Sequence, residues 1–452
     1  MQKEKLLIIS FDFIKKDYPA TTYSIASIIT SLRSDKELIH LQTKHYKVNL
    51  SDIYEKFTNN IVRIKDFIKN KLEKELKKDL QKYNFIAIGA TTWSTIYVKL
   101  LTNEILKAYK GIIILGGYEI TACSNNELLS NYPNVHFFIK GYAETALKNI
   151  LKRNYTTKQK IIQEKVKQED LISPYLSSFF STNHKKVHWE TKRGCPYKCG
   201  FCEWGNAADK KVIPINEKRL SAEISLFSKS KVQEINILDG TFNFGTHYVD
   251  YLRKLLNATK ANITMQVRFE NVANKQGKRF LDLCKKYNHR IKLEFGLQTI
   301  HPSEMQIIGR INNLDIVKTV MKTLNQYNIY YEISLIYGIP GQTYKSFLET
   351  IQFVKANGCE NIRAFPLRIP KNSKMEIEKY ELRIKESKLN YGIYHVTSSF
   401  SFNKDDYEKM QKISKKLAIA SINNLKIKNN KLKNYFTFTE TNPYEWKLNK
   451  AI

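Results

Sequence analysis

The apolar residues of this chain fall in short, strand-sized runs separated by helical stretches, and the alternation continues through most of its 452 residues. From Lys5 the runs read LLIISFDF, FIAIGATTWS and GIIILGGYEI, separated by TTYSIASIITSL, a lysine-rich helical stretch and a helix ending near Tyr109. A second series follows from Val187: VHWETKRG, QEINILDG, NITMQVRFEN, IKLEFGLQT, YYEISLIYGIPG and NIRAFPLRIP. Continuously apolar strands joined through helices form parallel sheets covered on both faces. The first series predicts a doubly wound, Rossmann-like α/β domain over residues 1–151. Residues 152–186 are polar and read as a linker. The strand–helix repeats of residues 187–371 predict a partial (β/α)6 barrel, and residues 372–452 a charged C-terminal extension with a helix over 404–424. In both architectures ligands dock at the carboxyl ends of the strands.

The second domain opens with three thiols, Cys195, Cys199 and Cys202, in GCPYKCGFCEWG. Three ligands are one short of a closed metal site. Structural zinc takes four protein ligands, and a 4Fe-4S cluster has four iron corners, so a three-thiolate set leaves one corner open for chemistry. A zinc site would need a fourth ligand, for which His184 and His188 are the nearest histidines, and buried reduced thiols are the other alternative. Six cysteines in a chain of this length make no disulfide framework, which predicts a reducing, cytoplasmic compartment. The longest apolar runs are strand-sized, so no membrane span is expected.

The cysteine spacing, Phe201 before the third thiol and the strand before the first resemble the radical S-adenosylmethionine (radical SAM) superfamily. The resemblance implies a 4Fe-4S cluster on Cys195, Cys199 and Cys202, whose open iron chelates S-adenosylmethionine and reduces it to a 5'-deoxyadenosyl radical. It further implies that Asp239, Gly240 and Thr241, ending the second barrel strand, take the place of a Gly-Gly-Glu stretch that holds the methionyl ammonium. Gln298 would contact the ribose, and Arg310, in the helix MQIIGR, the methionyl carboxylate, which suits a guanidinium fork. Ile336 and Gly338, in the turn YGIPGQT, would lie along the adenine. Gln266, Arg268, Glu270 and Glu294 are polar residues at barrel-strand positions and favour a ligand-filled lumen. Cys284 in a helix and Cys359 before the sixth strand are poorly placed as hydrogen-atom donors.

The strand ends of the first domain resemble the cobalamin-binding domain fused to many radical SAM enzymes. They are FDF at 11–13, ATTWS with Thr91, Thr92 and Ser94, GGYE with Gly116, Gly117 and Glu119, and KGYAET with Gly141. The resemblance implies that these loops cradle a corrin ring. The Asp-x-His-x-x-Gly loop that supplies an axial histidine elsewhere is absent from FDFIKKDYPATT. The alternative is a Rossmann-like domain without a cofactor, acting as a docking platform.

The formal charge of +31 comes largely from lysines on solvated helix faces. It fits an acidic leader on a peptide substrate and leaves nucleic acid as the less favoured partner. With cobalamin as methyl carrier, the function implied is methyl transfer to an unactivated carbon of a peptide or natural-product intermediate, with an electron donor such as flavodoxin or ferredoxin. Two alternatives stay open: a cobalamin-independent peptide-modifying radical enzyme (epimerase, crosslinking or rearrangement), and a basic RNA-associated protein with a structural cluster.

Overall fold

A computed structural model describes residues 4–12, 17–50, 61–156, 158–181, 183–206, 211–388 and 393–432. The chain forms two compact units, one running to Ser181 and also taking in Lys388 and Ile393, the other comprising most of the remainder.

The first unit is a six-stranded, all-parallel sheet of order β2-β1-β3-β4-β5-β6. Its strands are β1 (Lys5–Asp12), β2 (Gln42–Asn49), β3 (Phe85–Gly89), β4 (Ile112–Gly116), β5 (Phe137–Lys140) and β6 (Ile161–Gln163). Because β1 alternates sides, Leu7, Ile9 and Phe11 enter one core with Ile64, Ile68, Val98 and Leu101, while Leu6 and Ile8 enter another with Ile25, Ile29 and Leu147. Helices thus cover both faces, which is why the strands read as unbroken apolar runs. The direction of winding reverses between β1 and β3, the switch point at which such sheets offer a crevice.

Two strands of this unit lie outside the sequence-based expectation. β2, QTKHYKVN, carries Lys44 and Lys47 and fell within the stretch read as lysine-rich and helical; as an edge strand it is mostly half-exposed. β6 lies inside the segment read as a linker, yet pairs in parallel with β5 through Phe138↔Ile161 and Ile139↔Ile162. The polarity of that segment reflects an edge position rather than detachment from the sheet.

In the second unit a strand stands at each predicted place: β7 (Lys186–Trp189), β10 (Glu234–Ile237), β11 (Asn262–Val267), β12 (Ile291–Gln298), β13 (Tyr330–Tyr337) and β14 (Ile362–Pro366), with a short ribbon of β8 (Lys192–Arg193) and β9 (Ile213–Pro214) between the first two. The six form one open parallel sheet in sequence order, and β15 (Lys385–Lys388) pairs with β16 (Tyr394–Ser398) beside it. Ile263, Met265, Leu293, Phe295 and Ile333 are buried on the outer face of the strands, where the helices pack. The register therefore turns the alternate residues inward: Asn236 beside Thr264, Thr264 beside Lys292, Gln266 beside Glu294, Glu294 beside Glu332.

An open barrel leaves the outer edge of β14 with unpaired carbonyls. The helix Lys404–Leu432 closes it: Ser414 Oγ donates to Ala364 O at 3.2 Å and Ser421 Oγ to Ile362 O at 2.9 Å. Seven residues is two helical turns, so one helix face meets successive outward-pointing carbonyls. Among the described residues no helix is long and apolar enough to cross a membrane.

Candidate functional site

The chain leaves β7 through a buried ion pair. Arg193 Nε and Nη2 donate to the two carboxylate oxygens of Glu190 at 2.8 and 2.9 Å, and Gly194, at φ 94°, turns the backbone into the cysteine loop. Cys199 is buried, whereas Cys195 and Cys202 are half-buried. Among the described residues no three His, Cys, Asp or Glu side chains close on one ion-sized point; a cubane spreads its ligands over separate irons, so its thiolates need not converge on one point.

Four contacts hold the loop. Gly200 N donates to Ile308 O at 2.8 Å, and Cys202 N to Cys199 O at 3.1 Å. Tyr197 lies under the Arg268 guanidinium, 3.8 Å from Cζ to the ring centroid, and its hydroxyl donates to Asn271 Oδ1 at 2.7 Å. Phe201 is half-buried in the same loop.

The structure brings Gly240 and Thr241 to this loop. A Cβ on Gly240 would sit 3.2 Å from Cys195 Cβ, and Thr241 Oγ1 lies 3.6 Å from Cys195 Sγ. Asp239 is not free as expected. Its carboxylate accepts from Thr191 N at 2.8 Å, from Lys192 N at 3.3 Å and from the Thr191 hydroxyl, and lies 3.4 Å from Lys192 Nζ. Burial pushes the Asp239 pKa up against these partners and pulls that of Lys192 down. The acid joins the first and second barrel strands, and nothing of it is left for an incoming ammonium.

Gln298 and Arg310 meet over Gly296. An added Cβ at Gly296 would stand 2.5 Å from Gln298 Nε2 and 3.3 Å from Arg310 Nη2. Gln298 occupies the left-handed region at φ 71°, where the β12–β13 register shifts between Gly296 and Gln298. Arg310 does not lie in a helix as read. The helix Pro302–Ile307 ends at Gly309, φ 60°, with Gly309 N donating to Gln306 O and Arg310 N to Met305 O. This is a Schellman turn, which only a residue free to adopt positive φ makes cheaply. It redirects Arg310 so that Nη2 donates to Gly296 O and Nη1 lies 3.9 Å from Cys199 Sγ, while the buried Nε has no hydrogen-bond partner.

The turn after β13 is braced from within. Gln342 is fully buried; its Oε1 accepts from Gly338 N at 2.8 Å and its Nε2 donates to Ile336 O at 3.1 Å. A Cβ on Gly338, φ 83°, would be 3.2 Å from Val396 O and under 4 Å from Tyr407 and Phe402. The glycine thus serves the approach of the C-terminal segment, and Ile336 is buried beside it.

Most of the polar lumen residues are engaged with one another. Lys292 pairs with Glu294 at 3.0 Å and Glu332 at 3.5 Å, Arg363 with Glu332 at 3.5 Å, Lys186 with Glu234 at 3.7 Å, and Arg268 with Glu270 at 2.8 Å. Burial alone would lower the Lys292 pKa, but the Glu332 and Glu294 carboxylates outweigh it and raise it. The expectation that these polar side chains await a ligand therefore holds in geometry only for Gln266, which is exposed inside the sheet. Cys284 and Cys359 are buried; burial pushes both thiols up, Cys359 to about 12.

In the first unit the carboxyl-end loops are bound tightly to one another. Ala90 N donates to Gly116 O at 2.8 Å and Glu119 N to Ala90 O at 3.2 Å; a Cβ on Gly117, φ 104°, would stand 2.4 Å from Ala90 O. Thr91 N and its hydroxyl both donate to Ser94 Oγ, at 2.8 and 3.0 Å, which fixes the loop with Thr92 partly exposed. Gly141, φ 90°, donates from N to Thr121 Oγ1 at 2.9 Å. Glu119 is buried rather than offered to a ligand. Small, partly exposed residues at successive strand ends fit a flat macrocycle laid against backbone. Of the FDF segment, Phe13 lies outside the described residues, and Phe11 is buried in the core. At the end of β1, Ser10 Oγ donates to Asp12 Oδ2 at 2.6 Å and lies 2.8 Å from Nε2 of His45 on β2.

Sequence reasoning missed Gly296, the Tyr197–Arg268 stack and the bonds from Thr191 and Lys192 to Asp239. For Gly296 a signal existed, since a glycine inside a strand pattern marks a close approach.

Residues 189–354, within the second unit, match the Radical SAM superfamily. Among curated proteins the chain is 23% identical over 347 residues to the cobalamin-dependent radical SAM methyltransferase TokK of Streptomyces tokunonensis, covering 68% of this chain and 51% of TokK. It is 22% identical over 335 residues to the 2-(S-pantetheinyl)-carbapenam-3-carboxylate methyltransferase of Streptantibioticus cattleyicolor, covering 66% and 49%. The chain thus spans about half the length of these curated relatives. The solved structure of the radical S-adenosylmethionine methyltransferase TsrM of Kitasatospora setae, with cobalamin and a [4Fe-4S] cluster bound, superimposes with a TM-score of 0.62 at 12% identity, covering 90% of this chain and 85% of that one. At that identity the likeness is one of fold.

Proposed function

We propose that this chain is a cobalamin-dependent radical SAM methyltransferase acting on an unactivated carbon of a peptide or natural-product intermediate, with Cys195, Cys199 and Cys202 as the cluster thiolates. The observation that carries the reading is the junction at Arg310. One half-buried guanidinium there leans on a cluster cysteine, reaches the Gln298 side chain over Gly296 and keeps a buried Nε–H without a partner. An orphaned buried donor is costly unless a ligand meets it.

In this reading Arg310 Nε receives the methionyl carboxylate, and the fork's other nitrogen, held by Gly296 O, fixes its direction. Gln298, set by its left-handed backbone, faces the ribose. Thr241 and Gly240 border Cys195 where the amino group would come, and Asp239 acts by positioning that strand end. Arg310 also places positive charge beside the Cys199 thiolate, which favours accepting an electron. When bound, the cluster supplies one electron that splits the sulfonium into methionine and a 5'-deoxyadenosyl radical, and the corrin on the first unit supplies the methyl group. The loops of Thr91, Gly117 and Gly141 hold that corrin without a histidine from the β1 loop. We assign a cytoplasmic setting and an acidic flavodoxin or ferredoxin as reductant, which the +31 charge favours, as it favours an acidic leader on a peptide substrate.

The test is anaerobic reconstitution with iron, sulfide and hydroxocobalamin. Expected are corrin bands that survive desalting, and 5'-deoxyadenosine formed with dithionite that Cys199→Ala abolishes. A chain that retains no corrin, or a Cys199→Ala variant that still cleaves S-adenosylmethionine, overturns the reading.

A further inference from the structure

The barrel lumen carries a pattern of charge that bears on what enters it. Its inward-facing cations and carboxylates are matched to each other: Lys292 and Arg363 share Glu294 and Glu332, Lys186 meets Glu234, and Arg268 meets Glu270. Lys292 is completely buried and Glu332 is 2% exposed, so the cluster of Lys292, Arg363, Glu294 and Glu332 is a closed, internally neutral floor, whereas Arg268 and Glu270 pair past the carboxyl end of β11, beyond the strand positions expected for them. The side chains accessible above it are of another kind. Gln266 is exposed, Leu238 is 37% exposed, and Ser334 and Phe365 are half-buried. Leu238 and Gln266 stand level on neighbouring strands, because Asn236, two residues before Leu238, pairs with Thr264, two before Gln266; Ser334 and Phe365 lie further toward the carboxyl ends, Phe365 opposite Ile336, four residues past the Glu332 that is level with Gln266.

A mid-strand residue of a barrel is normally packed, so an exposed carboxamide there marks space left for a ligand. The carboxamide offers one acceptor and two donors and no charge. A charged group brought against Gln266 and Leu238 would be desolvated with no opposite charge to meet it, since the nearby ions are already paired. A neutral amide, by contrast, would exchange one donor and one acceptor with Gln266 and lay its apolar flank on Leu238, level with it on the neighbouring strand.

Resting on the reading of this lumen as the place where substrate is held, we infer that the part of the substrate inserted into the barrel is uncharged, carries an amide and an apolar group, and is selected by Gln266. Any acidic or basic portion stays outside the lumen. Gln266 is on this account a specificity residue. An amide of this kind comes either from a peptide backbone or from a small-molecule carboxamide, and the two are separable by experiment.

The probes are N-acetyl-leucine N-methylamide (peptide-like), isovaleramide (carboxamide only), N-acetyl-leucine (anionic) and leucine N-methylamide (cationic). Their binding is measured by saturation-transfer NMR to the full chain with its cluster reconstituted and S-adenosylmethionine present, without corrin and without turnover. At least one neutral amide is expected to bind about tenfold or more tightly than both charged probes, and which one does names the source. Gln266→Glu is expected to weaken the neutral probe about tenfold and to strengthen the cationic one, with the cluster absorbance unchanged; Leu238→Ala weakens all probes without reordering them. Binding of the anion as tight as that of the amides, binding of none of the four, or a Gln266→Glu variant with an unchanged order overturns the inference. Because corrin and turnover are absent, such a failure is distinct from failure of the methyltransferase reading.

Discussion

Gly296→Ala isolates the junction on which the site depends. The new methyl carbon would stand 2.5 Å from Gln298 Nε2 and 3.3 Å from Arg310 Nη2, so both side-chain ends must move. These are ends of flexible chains, and Gly296 is not among the residues at positive φ, so the strand itself accepts alanine. The fold should therefore hold while the alignment of Arg310 is lost. Losing one charge-assisted hydrogen bond costs about 1.5–3 kcal/mol. At 1.4 kcal/mol per decade this weakens S-adenosylmethionine by roughly 10- to 150-fold. Anaerobic equilibrium dialysis of the reconstituted chain against labelled S-adenosylmethionine measures the ratio, with the cluster absorbance and thermal midpoint as controls. An affinity within about twofold of the parent, with the cluster intact, would refute the geometry given to Arg310 and Gln298.

Lys292→Met leaves Glu294 without its cation and Glu332 with only Arg363, and should lower the stability of the barrel unit by about 3–5 kcal/mol in urea unfolding, an unchanged midpoint counting against a tight network. His45, held by burial at about 4 against an ordinary 6.5, binds its proton more readily unfolded. Stability should thus be complete above pH 6.5 and fall as the pH drops toward 4, and His45→Gln should flatten that slope in acid titrations followed by circular dichroism. Ser414→Ala combined with Ser421→Ala strips two donors from the β14 edge and should cost about 1–3 kcal/mol for each carbonyl left unsatisfied, with faster amide exchange in the helix from Lys404 as the readout.

The strands with both faces buried were legible in the sequence because two buried faces impose continuous apolar runs, as in KLLIISFD and IKLEFGLQ. β2 and β6 were not, because an edge strand needs little apolar character and its lysines resemble those of a solvated helix. The cysteine triplet was equally plain, since its ligands are close in sequence and the spacing survives any fold.

What the sequence determined by itself is the two parallel sheets and the thiolate loop, both products of short-range pattern. What only the tertiary structure decided is which polar groups remain available. Asp239, a turn residue on paper, is occupied by Thr191 and Lys192. Glu294 is matched by Lys292, one strand position away on the same face. Arg310, read as helical, is swung by Gly309 onto Cys199 and keeps an unpartnered Nε. A hydrogen bond or ion pair depends on where two side chains end in space, and sequence spacing fixes that only within one helix or strand.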